Sequence, residues 1–169
     1  MIAVGLYRDY ERVAEHGAVA AAAKAHPGQW QEVGLYRLAE TARSTANRMR
    51  LAHLPAYGPA GAFQAYRSLG EEQRRLWVRY VHGITPPPVL PEEMPETARL
   101  VLLAFTELDR PNVRATWAVD FLAEHGHTED AALVRRWLHS LRGSGGVGPR
   151  AAAAFLLRHH RTTREDTAQ

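Results

Sequence analysis

The chain has no cysteine, and of its 21 basic residues only Lys24 is a lysine. The first absence excludes disulfides, thiolate nucleophiles and cysteine-bearing zinc sites. The second leaves arginine to carry nearly all the positive charge. With so much alanine, this skew fits the codon bias of a GC-rich genome. Arginine also supplies the planar fork that pairs with phosphate and guanine, and composition does not separate the two readings. No apolar run approaches the ~20 residues needed to span a bilayer, so no membrane partner is expected. The start, MIAVGLYRDYERV, lacks the basic, apolar and small-residue succession of a secretory signal. A cytoplasmic location is the expectation.

At 169 residues the chain can form one compact domain or two small ones. The net charge of +3 hides a strong asymmetry. From Pro91 to Asp130, nine acids stand against Arg99, Arg110 and Arg114; from Ala131 to Arg164 there are seven arginines and no acid. His139, His159 and His160 fall in the basic stretch.

VGLYR occurs at Val4–Arg8 and again at Val33–Arg37, and FQAYR ends at Arg67. Each copy precedes a segment that closes on a histidine and a proline, which predicts a tandem β-α unit. MIAVGLY, QWQEVGLY and GAFQAYRSL have strand composition. Leu38, Ala42, Ala46 and Met49 recur at helical spacing. Leu76, Val78, Tyr80 and Val81 read as a further helix opened by GEEQRR. The fold class expected over residues 1–83 is α+β, or small α/β; strands alternating with helices suggest a mostly parallel sheet, with a split α+β sheet as the alternative.

The stretch from Trp30 to Ala65 carries W-x-x-V-G-x-Y, then A-R-x-x-A-x-R-x-R, then Y-x-P-x-G-x-F-x-A. It resembles a short module of uncharacterised small proteins of actinobacteria, their plasmids and phages. The resemblance covers about a fifth of the chain. It implies a strand–helix–strand unit and a mobile-element lineage, and brings no activity with it. Within this unit Arg43, Asn47 and Arg50 lie at i, i+4 and i+7, opposite the apolar seam. They form either a solvated helix face or a phosphate- or base-contacting one.

GITPPPVLPEEMP predicts a stiff linker over 84–95 and a domain boundary. An all-α domain is expected over 96–161, with a frayed tail at 162–169. In it ETARLVLLAFTEL reads as a buried helix and NVRATWAVDFLAEH as a second. After a turn at Gly126, a third helix puts Arg135, His139 and Arg142 on one face, with Arg136 alongside. This order resembles a helix-turn-helix domain; a plain helical bundle with a charged surface is the competitor. GSGGVGPR, residues 143–150, falls short of a phosphate-cradling P-loop. An amphipathic helix precedes it, and Pro149 stands where lysine belongs. It predicts an interhelical loop in which Arg150 is able to hold a nucleic-acid phosphate, and no nucleotide site.

Nine histidines show no metal-ligand spacing, and no nucleophile elbow or carboxylate pair stands out. No cofactor, no metal and no enzymatic activity are therefore expected. The function expected is a small regulatory or accessory protein that binds nucleic acid, duplex DNA first, through Arg135, Arg136, His139, Arg142, Arg150, Arg43, Asn47 and Arg50. The alternative is a structural or protein-interaction subunit, with a homo-oligomer left open.

Overall fold

The computed structural model describes residues 12–107, 113–141 and 147–167. The architecture is mixed α+β, and the chain divides at Glu92/Glu93 into two compact units. Among the described residues no helix is long and apolar enough to cross a membrane.

The first unit contains β1 (Arg12–Val13), α1 (His16–Ala25), β2 (Gln31–Leu35), α2 (Ala39–Arg50), a short 3-10 turn (Pro55–Tyr57), β3 (Phe63–Arg67) and β4 (Arg75–Tyr80). The strands form one sheet in the order β1-β2-β4-β3, and every pairing is antiparallel. β2 and β3 therefore run the same way with β4 inserted between them, a split β-α-β arrangement. This corrects the expectation of a mostly parallel sheet. It also corrects the helix read over Leu76 to Val81: Leu76 and Val78 are buried and alternate with Arg75, Trp77 and Arg79, a period of two. Glu72 and Gln73 adopt left-handed φ values of 54° and 62°, which turns GEEQ into the bend between β3 and β4. The expected strand at Met1–Tyr7 lies outside the described residues.

α1 owes its start to Glu15, whose carboxylate accepts from the N–H groups of Gly17 at 2.8 Å and Ala18 at 2.7 Å. Its alanine-rich body presents Val19, Ala20 and Ala23 inward. α2 presents Ala42, Thr45, Ala46 and Met49, the seam read from spacing apart from Leu38, which is exposed. Both helices cover one face of the sheet, where Val33, Phe63, Leu76, Val78 and Tyr57 join them in a single core.

The second face is sealed by the chain's own proline-rich segment. Arg79, only 3% exposed, projects from this face. Its Nε donates to Gln64 Oε1 at 2.9 Å and its Nη1 to the Pro87 carbonyl at 2.7 Å. The guanidinium lies 4.4 Å from the Trp30 ring, and the Trp30 indole donates to the Val89 carbonyl at 2.7 Å. No carboxylate bonds Arg79 among the described residues, and burial holds its pKa below the usual arginine value. Glu92 completes the seal: it accepts from Tyr66 Oη and Leu69 N–H at 2.8 Å and from Gly70 N–H at 2.9 Å. Gly28 fits the same seam. Its φ is +79°, and a Cβ there would press on Pro87 and Ile84 at 3.2 and 3.3 Å. Residues 84–92 are thus bonded onto the first unit instead of hanging free as a connector.

The second unit contains α3 (Glu96–Glu107), α4 (Thr116–Glu124), α5 (Thr128–Ser140) and α6 (Pro149–Thr167). α3 packs on α6 and α4 on α5, with further contacts of α4 to α3 and of α6 to α4 and α5. The core is small-residue rich, with Ala98, Ala118, Ala131, Ala152 and Ala153 between Val101, Leu122, Val134 and Leu156. Such residues let helix axes approach closely. Gly126, φ +82°, ends α4: its N–H donates to the Ala123 carbonyl, and that of His127 to Leu122. Pro149 opens α6 as expected. α6 runs on through Thr167 instead of fraying from residue 162.

Replacing Glu92 by Ala leaves two backbone N–H groups and a phenol without their acceptor. We expect a loss of about 2–4 kcal/mol in urea unfolding, since each orphaned buried donor costs roughly 1–3 kcal/mol. Glu92→Gln, which keeps one carbonyl acceptor, should lose less. Cleavage between Gly83 and Pro91 in limited proteolysis should rise in the same order.

Candidate nucleic-acid interface

α5 is amphipathic for a simple reason. Ala131 and Val134 are buried; Leu133, Trp137 and Leu138 are half-buried; Arg135, Arg136 and His139 are exposed. Among the described residues no carboxylate lies within ion-pair range of Arg135 or Arg136. The His139 ring is tied to its own helix through a contact of Nδ1 with the Arg135 carbonyl at 2.8 Å. Arg142 lies outside the described residues. Arg150 occupies the first turn of α6 and is half-buried.

The other expected set lies on α2, in the first unit, so the structure does not join the two sets on one element. Arg43, Asn47 and Arg50 are exposed. Arg43 pairs with Glu40 at 3.5 Å across side chains that are 62% and 73% exposed, a contact that contributes little in water. Arg50 donates to the side-chain oxygen of Asn47. Two of the three groups are therefore engaged with each other, and α2 is the weaker anion surface.

Sequence reading passed over the exposed face of α6. Arg158, Arg161 and Arg164 are all exposed there, and none is bonded to a carboxylate among the described residues. Their signal was the acid-free stretch itself, cut short by the expectation of a frayed tail. α6 packs against α5, so the arginines of both helices belong to one unit.

Among the described residues no ion pair joins the acids before this stretch to its arginines. Asp130 instead accepts from Thr97 Oγ1 at 2.6 Å and meets His160 Nε2 at 3.2 Å, joining α5 to α3 and α6. The order of groups matters chemically. The hydroxyl is bonded to the carboxylate and not to the imidazole, so the three groups do not stand in the hydroxyl–imidazole–carboxylate order of a hydrolase triad. No family model, curated protein or solved structure matches the chain.

Among the described residues no group of three His, Asp or Glu side chains is placed to hold a metal ion. A shallow depression of about 380 Å³ is lined by His160, Thr163, Arg164 and Thr167, with no carboxylate in its wall. In the first unit, His16 Nδ1 lies 2.9 Å from the hydroxyl of the fully buried Tyr57. Burial, then the neighbouring Tyr36 and Glu15, push the Tyr57 phenol well above its usual range. Burial depresses His16, with Arg48 adding to the effect and Glu15 opposing it. Both partners are thus held neutral at pH 7, and their bond fastens α1 to the turn at Pro55–Tyr57.

A histidine whose folded pKa is depressed stabilises the fold above its ordinary value of about 6.5, and that contribution is lost as pH falls through the folded pKa. Stability of the chain should therefore decline between pH 8 and pH 5. In His16→Gln, which keeps a polar partner for Tyr57 without titrating, the decline should be smaller. Urea midpoints of the two proteins across this range check it.

Proposed function

We propose that the helical unit binds nucleic acid, with the exposed arginines of α5 and α6 gripping backbone phosphates. One observation carries this reading. From Ala131 to Arg164 no acid interrupts the chain, and Arg135, Arg136, Arg158, Arg161 and Arg164 are exposed without a carboxylate partner among the described residues. Guanidinium groups left in water cost little to redirect to a phosphate, and each contact releases a condensed counterion. Residues 91–130, rich in acids, keep the overall charge near neutral, so the cationic surface belongs to one part of the unit.

A helix-turn-helix arrangement of α4 and α5 has support in the three residues that separate them and in the left-handed Gly126. Asp120 and Glu124 are exposed on α4 and would repel phosphates there. On α5 and α6 the acids are confined to the two ends, Glu129 and Asp130 in the first turn of α5 and Glu165 and Asp166 near the end of α6, with none between Ala131 and Arg164. Their side is the better surface for a polyanion.

The test is anisotropy of labelled duplex and single strands, read at two or more salt concentrations. Replacing Arg135 and Arg136 together by Ala should leave stability within ~0.5 kcal/mol per site. The slope of log K against log salt should flatten by roughly one to two units, since each phosphate contact contributes about 0.7–0.9. Affinity indifferent to salt would instead support a protein-interaction subunit.

A further inference from the structure

The second unit carries two Trp-Phe-His ladders, one along α4 and one across α5 and α6, with opposite charge beside them. Along α4, Trp117 stacks on Phe121 at 5.1 Å, and Phe121 meets the capping His125 at 4.2 Å with the rings tilted by 35°. Across α5 and α6, Trp137 stacks on Phe155 at 4.7 Å with the planes 8° apart, and Phe155 on His159 at 6.0 Å and 25°. Both ladders end on an exposed histidine, and in both the tryptophan and phenylalanine are half-buried. The local sequences are parallel: FLAEH at 121–125 and FLLRH at 155–159. In the first, an acid, Glu124, precedes the histidine; in the second it is Arg158, and both are exposed. Arg158 is three residues from Phe155, on the same side of the helix. Arg136, exposed on α5, is next to Trp137.

From this we infer that the Trp137–Phe155–His159 ladder is a stacking platform for the unpaired bases of single-stranded nucleic acid. The inference rests on the phosphate-binding reading above and names the class of strand. A duplex buries its base faces in its own stack, whereas a single strand offers them. Proteins that hold single strands pair such rings with cations that track the backbone. Here the packed Trp137–Phe155 pair fixes the ladder, His159 presents the end ring to solvent, and Arg136 and Arg158 supply cations beside it. The α4 ladder has the same rings next to Asp120 and Glu124, so it lacks the charge to hold a strand and serves as an internal control.

The experiment uses the full chain with three labelled probes: a short oligothymidylate, an abasic strand of the same length, and a duplex of that length. The oligothymidylate should bind tighter than the abasic strand. His159→Ala should weaken it about five-fold or more, the loss expected for one stacked base, and leave the abasic strand unchanged. His159→Phe should restore binding, and His125→Ala should have no effect. Oligothymidylate should quench the tryptophan emission of Trp117→Phe but much less that of Trp137→Phe. Equal affinity for oligothymidylate and abasic strands, or a preference for duplex, would overturn the platform while leaving phosphate binding intact. Absence of binding to all three probes would overturn both.

Discussion

A guanidinium sealed onto a sheet, with no counter-ion among the described residues, organises the first unit. Arg79 is buried, and among the described residues its partners are neutral groups: the Gln64 amide, the carbonyls of Pro87 and Val89, and the face of Trp30. Prolines suit this task because a proline has a carbonyl and no N–H to leave unpaired. A lysine in this place would offer a point charge and no fork, and would lose the stacking on Trp30. The burial of the sheet's second face and the course of residues 84–92 both follow from this one side chain.

What the sequence disclosed of this unit, and what it hid, have definite causes. QEVGL and FQAYR were legible as strands because their β-branched and aromatic residues stand between glycine and proline punctuation. The seam of α2 was legible from its period. β4 was not, because GEEQRR imitates the acidic first turn of a helix and RLWVRY was then read onward with a helical period. The alternation of Leu76 and Val78 with arginine and tryptophan was the contrary signal. Strand direction was out of reach for another reason: a β-α succession suits a parallel pair, and only the later insertion of β4 between β2 and β3 makes each neighbour antiparallel. The proline run looked like a free linker since nothing local announces that distant Arg79, Trp30 and Tyr66 will hold it.

The basic face of the second unit was half visible. Spacing alone put Arg135, Arg136 and His139 on one side of α5, since charged residues three and four apart share a face with or without tertiary contacts. Of the α6 arginines Arg150 was named, whereas Arg164 fell from view because the tail from residue 162 was expected to fray, although the helix continues through it. The ladder across α5 and α6 has no local sign at all. Trp137 and Phe155 are 18 positions apart with the glycine-rich stretch GSGGVG between them in sequence, so only packing brings the rings together.

The sealing of Arg79 also sets an order of events on the ribosome. The sheet's last strand ends at Tyr80, but the carbonyls that satisfy its buried cation come seven to nine residues later, and Glu92 comes twelve later. While those residues are still in the exit tunnel, the emerged strands have one dry face and one wet one, with Trp30 and Tyr66 open to water. The first unit becomes a finished body only when its final segment emerges, and the next residues to appear already belong to the second. A truncated product ending at Gly83 is therefore not a shorter first unit but one left without its lid, whereas one ending at Glu92 includes every group that covers that face.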